Sequence, residues 1–132
     1  MSRVPRAQEH LKTGFSSEAT TAARYRACAR SAEAAGLPNL ARRWIELAEA
    51  KDELAALLLG AAGQVRETER AIADSIAEER YENEVLYPKM IREIGGEAEE
   101  VLLSVIAAQQ GHVDRLEKLR GEVRSAAGSD VG

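Results

Sequence analysis

Residues 76–88 of the chain read IAEERYENEVLYP. If this stretch is helical, its apolar face repeats every three or four residues, through Ile72, Ile76, Glu79, Glu82, Leu86 and Met90. Two carboxylates therefore occupy positions that a buried helix face normally gives to apolar residues. An ionised carboxylate is costly to bury unless a cation or hydrogen-bond donors meet it. We therefore expect other helices to place such groups opposite Glu79 and Glu82.

The composition predicts one all-α domain over residues 1–132. Aromatic residues are only 4% of the chain, and few segments combine β-branched and aromatic residues as strands do. A net charge of −4 without a basic stripe argues against a nucleic-acid surface. No apolar run approaches the length of a membrane span, so we expect a cytoplasmic protein. A single cysteine, Cys28, excludes an intrachain disulfide and a four-cysteine metal site.

The pattern of apolar residues and breaks predicts four amphipathic helices, over about residues 7–35, 39–59, 68–94 and 98–125. Residues 1–6 are expected to be frayed. Thr68 is the expected N-cap of the third helix, and Pro88 is expected to kink that helix because it cannot donate a backbone hydrogen bond. Four such helices with short joints predict an antiparallel four-helix bundle.

Polar residues interrupt each predicted apolar face near its middle. On the second helix, for example, the predicted face runs through Leu40, Trp44, Leu47, Lys51, Leu54 and Leu58. The interrupting residues on the four helices are Glu18, Lys51, Glu79, Glu82, Gln109 and His112. One such residue would be unremarkable in a core, but six on four helices favour a site. Facing Glu and His side chains form carboxylate metal centres in bundles, and they suit iron, manganese or zinc.

Three motifs carry a resemblance to a known family. Residues 17–25 read SEATTAARY, residues 79–88 read ERYENEVLYP, and residues 108–115 read AQQGHVDR. In their order and spacing these motifs resemble the rubrerythrins, a branch of the ferritin-like di-iron proteins. The resemblance covers roughly residues 8–122 and implies a ferritin-like antiparallel four-helix bundle. It also implies that Tyr25 lies beside the polar layer and that the metal ligands are Glu18, Glu79, Glu82 and His112.

The sequence departs from the family at three of its seven ligand positions. By the family spacing, a bridging Glu and a His of the second helix fall on Lys51 and Leu54, and a second bridging Glu falls on Gln109. The cysteine-rich tail that delivers electrons in longer family members is also absent. Ordinary di-iron peroxidase chemistry is therefore not expected.

Two functions stay open at this point, and whether the chain is an enzyme stays open with them. The first is a redox or metal-handling protein that holds at most one iron, manganese or zinc ion on Glu79, Glu82 and His112, with Glu18 or water completing the shell. The resemblance implies a residual oxygen or peroxide role for it, with an unknown redox partner. The second is a metal-free, non-enzymatic bundle in which Lys51 replaces the metal charge. Lys51 would then point into the polar layer, within hydrogen-bonding range of Glu18, Glu82 or Gln109. Such a bundle would be a structural or partner-binding module.

The link between the second and third helices predicts the assembly. The second helix, with about 21 residues, should span roughly 31 Å, whereas residues 60–67 reach at most about 26–29 Å. The third helix therefore either turns straight back, giving a plain up-down bundle, or passes to a second chain. Short-linked rubrerythrins resemble the second case. We predict a helix-swapped homodimer in which one chain supplies Glu18 and Lys51 and the other supplies Glu79, Glu82 and His112.

Overall fold

The computed structural model describes residues 4–132, and within that range every regular element is helical. Residues 1–3, part of the segment predicted to be frayed, lie outside the described range. The elements are α1 (Val4–Ala34), α2 (Pro38–Ala61), α3 (Thr68–Tyr81), a π-helical turn (Glu82–Leu86), α4 (Tyr87–Glu93) and α5 (Gly96–Ala126). The predicted all-α class is confirmed, and the third predicted helix comprises α3, the π turn and α4.

The described chain divides into two compact units, which we call the first hairpin (Met1–Val65) and the second hairpin (Arg66–Gly132). Each hairpin is compact by itself. The single four-helix domain over residues 1–132 stays a prediction from the sequence. None of the described helices is long and apolar enough to span a membrane.

Alanines form the core of the first hairpin. They lie on α1, on α2 and directly after α2, and within each helix region they are three or seven residues apart: Ala22, Ala29, Ala32, Ala41, Ala48, Ala55 and Ala62. The helices run antiparallel, because Gln8 bonds to the Ala62 carbonyl at one end while Arg26 pairs with Asp52 further along. Small side chains allow two helices to approach closely, so this core is narrow.

The buried face of α2 differs from the prediction by one residue. Ala41, Ala48 and Ala55 are buried, whereas the leucines immediately before them, Leu40, Leu47 and Leu54, stay about half exposed. Both sets repeat every seven residues. Either stripe of α2 could pack against a partner helix, and the alanine stripe is the one that α1 covers.

Larger aliphatic residues form the core of the second hairpin. Ile72 and Ile76 of α3 are buried with Val113 of α5, and three partly buried residues of α5 extend this cluster: Leu116, Leu119 and Val123. The ion pairs Glu69–Arg124 and Arg80–Glu117 show that α3 and α5 are antiparallel. The first half of the apolar face predicted for the third helix, at Ile72 and Ile76, is therefore buried against α5.

The helix boundaries follow the expected breaks, with one correction. Gly36, with φ of +76°, ends α1 in the left-handed conformation that glycine adopts most easily. The N-cap of α3 is Glu67 and not Thr68. The Glu67 carboxylate accepts hydrogen bonds from the backbone N–H groups of Glu69 and Arg70, and Thr68 becomes the first helical residue. A carboxylate at this end also suits the helix dipole.

The irregularity expected at Pro88 appears just before it, as the π turn. Pro88 lies in the first turn of α4, where a missing N–H group is tolerated. The N–H of Tyr87 bonds to the Glu82 carbonyl five residues earlier. This wider turn begins at Glu82, one of the predicted site residues, and π turns inside helices occur often at functional sites.

Candidate functional site

Glu18 and Lys51 form an ion pair inside the first hairpin. The Glu18 Oε2 and Lys51 Nζ atoms are 2.8 Å apart, and about a quarter and a third of the two side chains are exposed. Hydrogen bonding to Glu18, and then its negative charge, raise the pKa of Lys51 against the opposing effect of burial. Lys51 is therefore charged at neutral pH. Glu18 is one of the three partners that the sequence suggested for it.

Tyr25 lies beside this pair and makes packing contacts. Its ring centre is 5.3 Å from that of Trp44, with the planes tilted by 45°. The Arg24 guanidinium carbon is also 5.3 Å from the Tyr25 ring centre, within the range of a cation–π contact. Tyr25 makes a small contribution to the raised pKa of Lys51. These contacts hold the ring next to the Glu18–Lys51 pair.

In the second hairpin, Glu79 of α3 faces His112 of α5. The Glu79 Oε1 and His112 Nδ1 atoms are 3.0 Å apart. Glu79 is largely sheltered, with 19% of its side chain exposed, whereas half of His112 is exposed. The antiparallel pairing of the two helices thus brings together two of the four predicted ligands. The imidazole nitrogen that touches Glu79 is engaged by that contact.

Glu82, the third predicted ligand in this hairpin, is held by two neutral donors. Its Oε2 atom accepts a hydrogen bond from the Tyr87 hydroxyl at 3.1 Å and one from the Gln109 side-chain amide at 3.4 Å. The bond to Glu82, and then burial, raise the pKa of Tyr87. The Gln109 carbonyl oxygen is buried without a hydrogen-bond partner.

These residues line an open groove of about 860 Å³ that lies wholly within the second hairpin. Leu116 and Leu119 give it an apolar part next to the hairpin core. Its polar lining comprises Ser75, Glu78, Glu79, Glu82, Gln109, His112, Arg115, Lys118 and Glu122. The groove therefore combines an apolar surface with a mainly acidic rim.

The residues as arranged do not fit a two-metal centre. Among residues 4–132, no three Asp, Glu, His or Cys side chains stand where they could hold one metal ion together. Glu18 lies in the first hairpin, where it pairs with an ammonium group. Glu79, Glu82 and His112 share a groove, but each already has a protein partner. The hydrogen-bonding capacity of the carboxylates is directed to Lys51, His112, Tyr87 and Gln109.

The hydrogen bond from the Tyr87 hydroxyl to Glu82 was not predicted from the sequence. The hydroxyl reaches Glu82 from five residues away, a separation at which two side chains of a regular α-helix do not share a face. The π turn changes that register. The Tyr-Pro step was the only sequence signal for an irregular turn at this point.

Comparison with known proteins adds no relative to this description. No protein-family model matches the sequence, and no curated protein matches it significantly. A function therefore has to be inferred from the side chains themselves.

Proposed function

We propose that the chain is a non-enzymatic, ferritin-like helical module in which internal charge pairs and hydrogen bonds take the place of a metal centre. The observation that carries this proposal is the 2.8 Å approach of Lys51 to Glu18. By the resemblance to rubrerythrins, Lys51 stands where that family has a bridging glutamate. An ammonium group there supplies the positive charge that a metal would otherwise supply.

The electrostatics of both hairpins support this proposal. Lys51 neutralises Glu18, and its raised pKa keeps it protonated. Glu82 receives two neutral donors, and Glu79 meets His112. Every carboxylate of the predicted polar layer thus has a partner within its own hairpin. A divalent ion at Glu18 would have to displace Lys51 or lie close to its like charge.

A stabilised bundle without a catalytic centre acts through its surfaces. The role that we propose is that of a structural or partner-binding module. Its assembled form would be an antiparallel four-helix bundle, and its oligomeric state a homodimer, as the sequence predicts. No enzymatic step is assigned to it.

Metal analysis tests the proposal directly. Protein purified without a polyhistidine tag should contain far less than one iron, manganese or zinc ion per chain. Adding each ion should leave the unfolding temperature unchanged, because only a ligand that binds the folded state raises it. As a control for the role of Lys51, Lys51→Met should lower stability more than Lys12→Met, which alters an exposed lysine of α1. Stoichiometric metal in the unmodified chain would refute the proposal.

A second candidate function is favoured by one observation, namely that Glu79, Glu82 and His112 line the same groove. Under this second candidate function, the groove would hold a single divalent ion on these three residues after the Glu79–His112 contact opens. One ion per chain would then be found, and His112→Ala would remove it. The matched control is His10→Ala, because His10 is an exposed residue of α1 and lies outside the groove.

A further inference from the structure

The first hairpin contains a pocket between the end of α1 and the beginning of α2. Its volume is about 690 Å³. The apolar lining comprises Ala29, Pro38, Ala41 and Ile45, and the two alanines are buried and form its floor. Volumes of roughly 300–1,000 Å³ are typical of pockets that bind small molecules. The pocket is therefore large enough for a small organic molecule.

Three arginines surround this apolar lining, and we call the whole the arginine pocket. Arg26 and Arg30 come from α1, and Arg42 comes from α2. Glu33 is the single acidic residue among the described residues of the lining, which leaves a net charge of +2. The first turn of α2 also lies at this pocket, and a helix N-terminus carries a partial positive charge. The electrostatics of the pocket therefore favour an anion.

The guanidinium groups keep hydrogen-bond donors for a ligand. Arg26 forms an ion pair with Asp52. Arg42 donates a hydrogen bond to the side-chain oxygen of Asn39. Each guanidinium has five N–H donors, so these contacts leave others unused. Arg30 makes no ion pair within the described part of the chain. Guanidinium groups match the oxygen geometry of carboxylates and phosphates, so the three arginines can bind such a group while the two existing contacts persist.

The arginine pocket and the exposed leucines of α2 lie on different sides of the buried alanine stripe. Leu40 directly precedes Ala41, and Arg42 directly follows it. Each residue turns a helix by about 100°, so Leu40 and Arg42 point to opposite sides of Ala41. A further helix that packed against the leucines would therefore leave the pocket accessible.

We propose that the arginine pocket binds a small organic anion. Its phosphate or carboxylate group is held by Arg26, Arg30 and Arg42, and its apolar body lies on the alanine floor. An inorganic ion would leave the apolar floor in water, and an uncharged apolar molecule would leave the arginines without an acceptor. This site goes beyond the proposed function and does not depend on it, because the described lining includes no residue of the predicted polar layer.

Isothermal titration calorimetry of the full chain with naphthyl phosphate tests the proposal. One molecule per chain should bind, about tenfold or more tightly than inorganic phosphate, because the naphthyl ring covers the apolar floor. Naphthol, which lacks the anionic group, should bind about tenfold or more weakly than naphthyl phosphate. Naphthoate carries a carboxylate in place of the phosphate, so the tighter of the two anions shows which group the arginines prefer.

Three results of these titrations would overturn the proposal. The first is that neither naphthyl phosphate nor naphthoate binds. The second is that inorganic phosphate binds as tightly as the tighter naphthyl anion, which would mean that the apolar floor contributes nothing. The third is that naphthol does so, which would mean that the arginines contribute nothing.

Charge-matched variants locate the binding site. Arg30→Gln should weaken binding of the tighter naphthyl anion by about tenfold, because a charged hydrogen-bond donor is lost. Arg43→Gln is the control and should leave binding unchanged, because Arg43 is exposed on α2 and does not line the pocket. Both variants lose one positive charge. Equal weakening by the two variants would indicate general attraction of anions to the chain and would reject the arginine pocket. Bound metal would refute the metal-free function and leave this comparison unaffected.

Discussion

The alanine core of the first hairpin leads to a quantitative prediction for Ala48→Leu. Ala48 has no exposed surface, and Ala41 and Ala55, one heptad away on either side, are also buried. Leucine adds three carbon atoms at a position without free space. Overpacking of this kind typically costs about 1–3 kcal/mol. We expect about 3 kcal/mol, because two long helices would have to separate and cannot relax locally as a loop would.

Urea unfolding followed by circular dichroism at fixed protein concentration measures this cost. With a denaturant slope of about 2 kcal/mol per molar, the midpoint should fall by roughly 1.5 M. Ala50→Leu is the control, because Ala50 is exposed on the opposite side of α2 and leucine is nearly as good a helix former as alanine. An Ala48→Leu variant with the midpoint of the unmodified protein would show that α1 and α2 are not held together by close packing.

Two further predictions concern the polar residues. Because the pKa of Lys51 is raised in the folded protein, its stabilising contribution is complete below the ordinary lysine pKa and is lost as pH rises through the higher folded value. At alkaline pH, the free energy of unfolding should therefore fall more steeply with pH in the unmodified protein than in Lys51→Met. The pKa of Tyr87 is also raised, so its contribution to stability is likewise lost as pH rises. Lys51→Met should therefore retain part of the alkaline loss of stability. Separately, Lys51→Glu with Leu54→His and Gln109→Glu restores the ligand set that the resemblance implies, and this variant should bind two irons per site. A folded triple variant that binds no more metal than its parent would count against the resemblance.

Glycine and proline signals explain why the helix positions could be predicted. Gly36 and Pro38 stop α1 and start α2 for local steric reasons that need no knowledge of packing. The partner of Lys51 was also foreseeable as one of three residues, because an ammonium on an apolar face requires a nearby acceptor.

Features that depend on competition between two similar local solutions could not be predicted. On α2, leucine and alanine stripes lie side by side with the same period, and only the close approach of α1 decides which is buried. At the start of α3, Glu67 and Thr68 both can cap, and the extended backbone at Glu67 decides the outcome. The Glu82–Tyr87 bond depends on the π turn, for which periodicity gives no signal.

The arrangement of charges also determines where any remaining metal affinity would lie. An ion approaching Glu18 meets the ammonium of Lys51 at 2.8 Å from the carboxylate, so binding there means losing a charge pair. An ion approaching the groove of the second hairpin displaces only the Glu79–His112 contact and neutral donors to Glu82. His112 is half exposed and can turn away at little cost in packing. Weak metal binding, where it is found, should therefore be insensitive to Glu18→Gln and abolished by Glu79→Gln. The reason is that Glu18 is paired with an ammonium group, whereas Glu79 contacts the imidazole of His112.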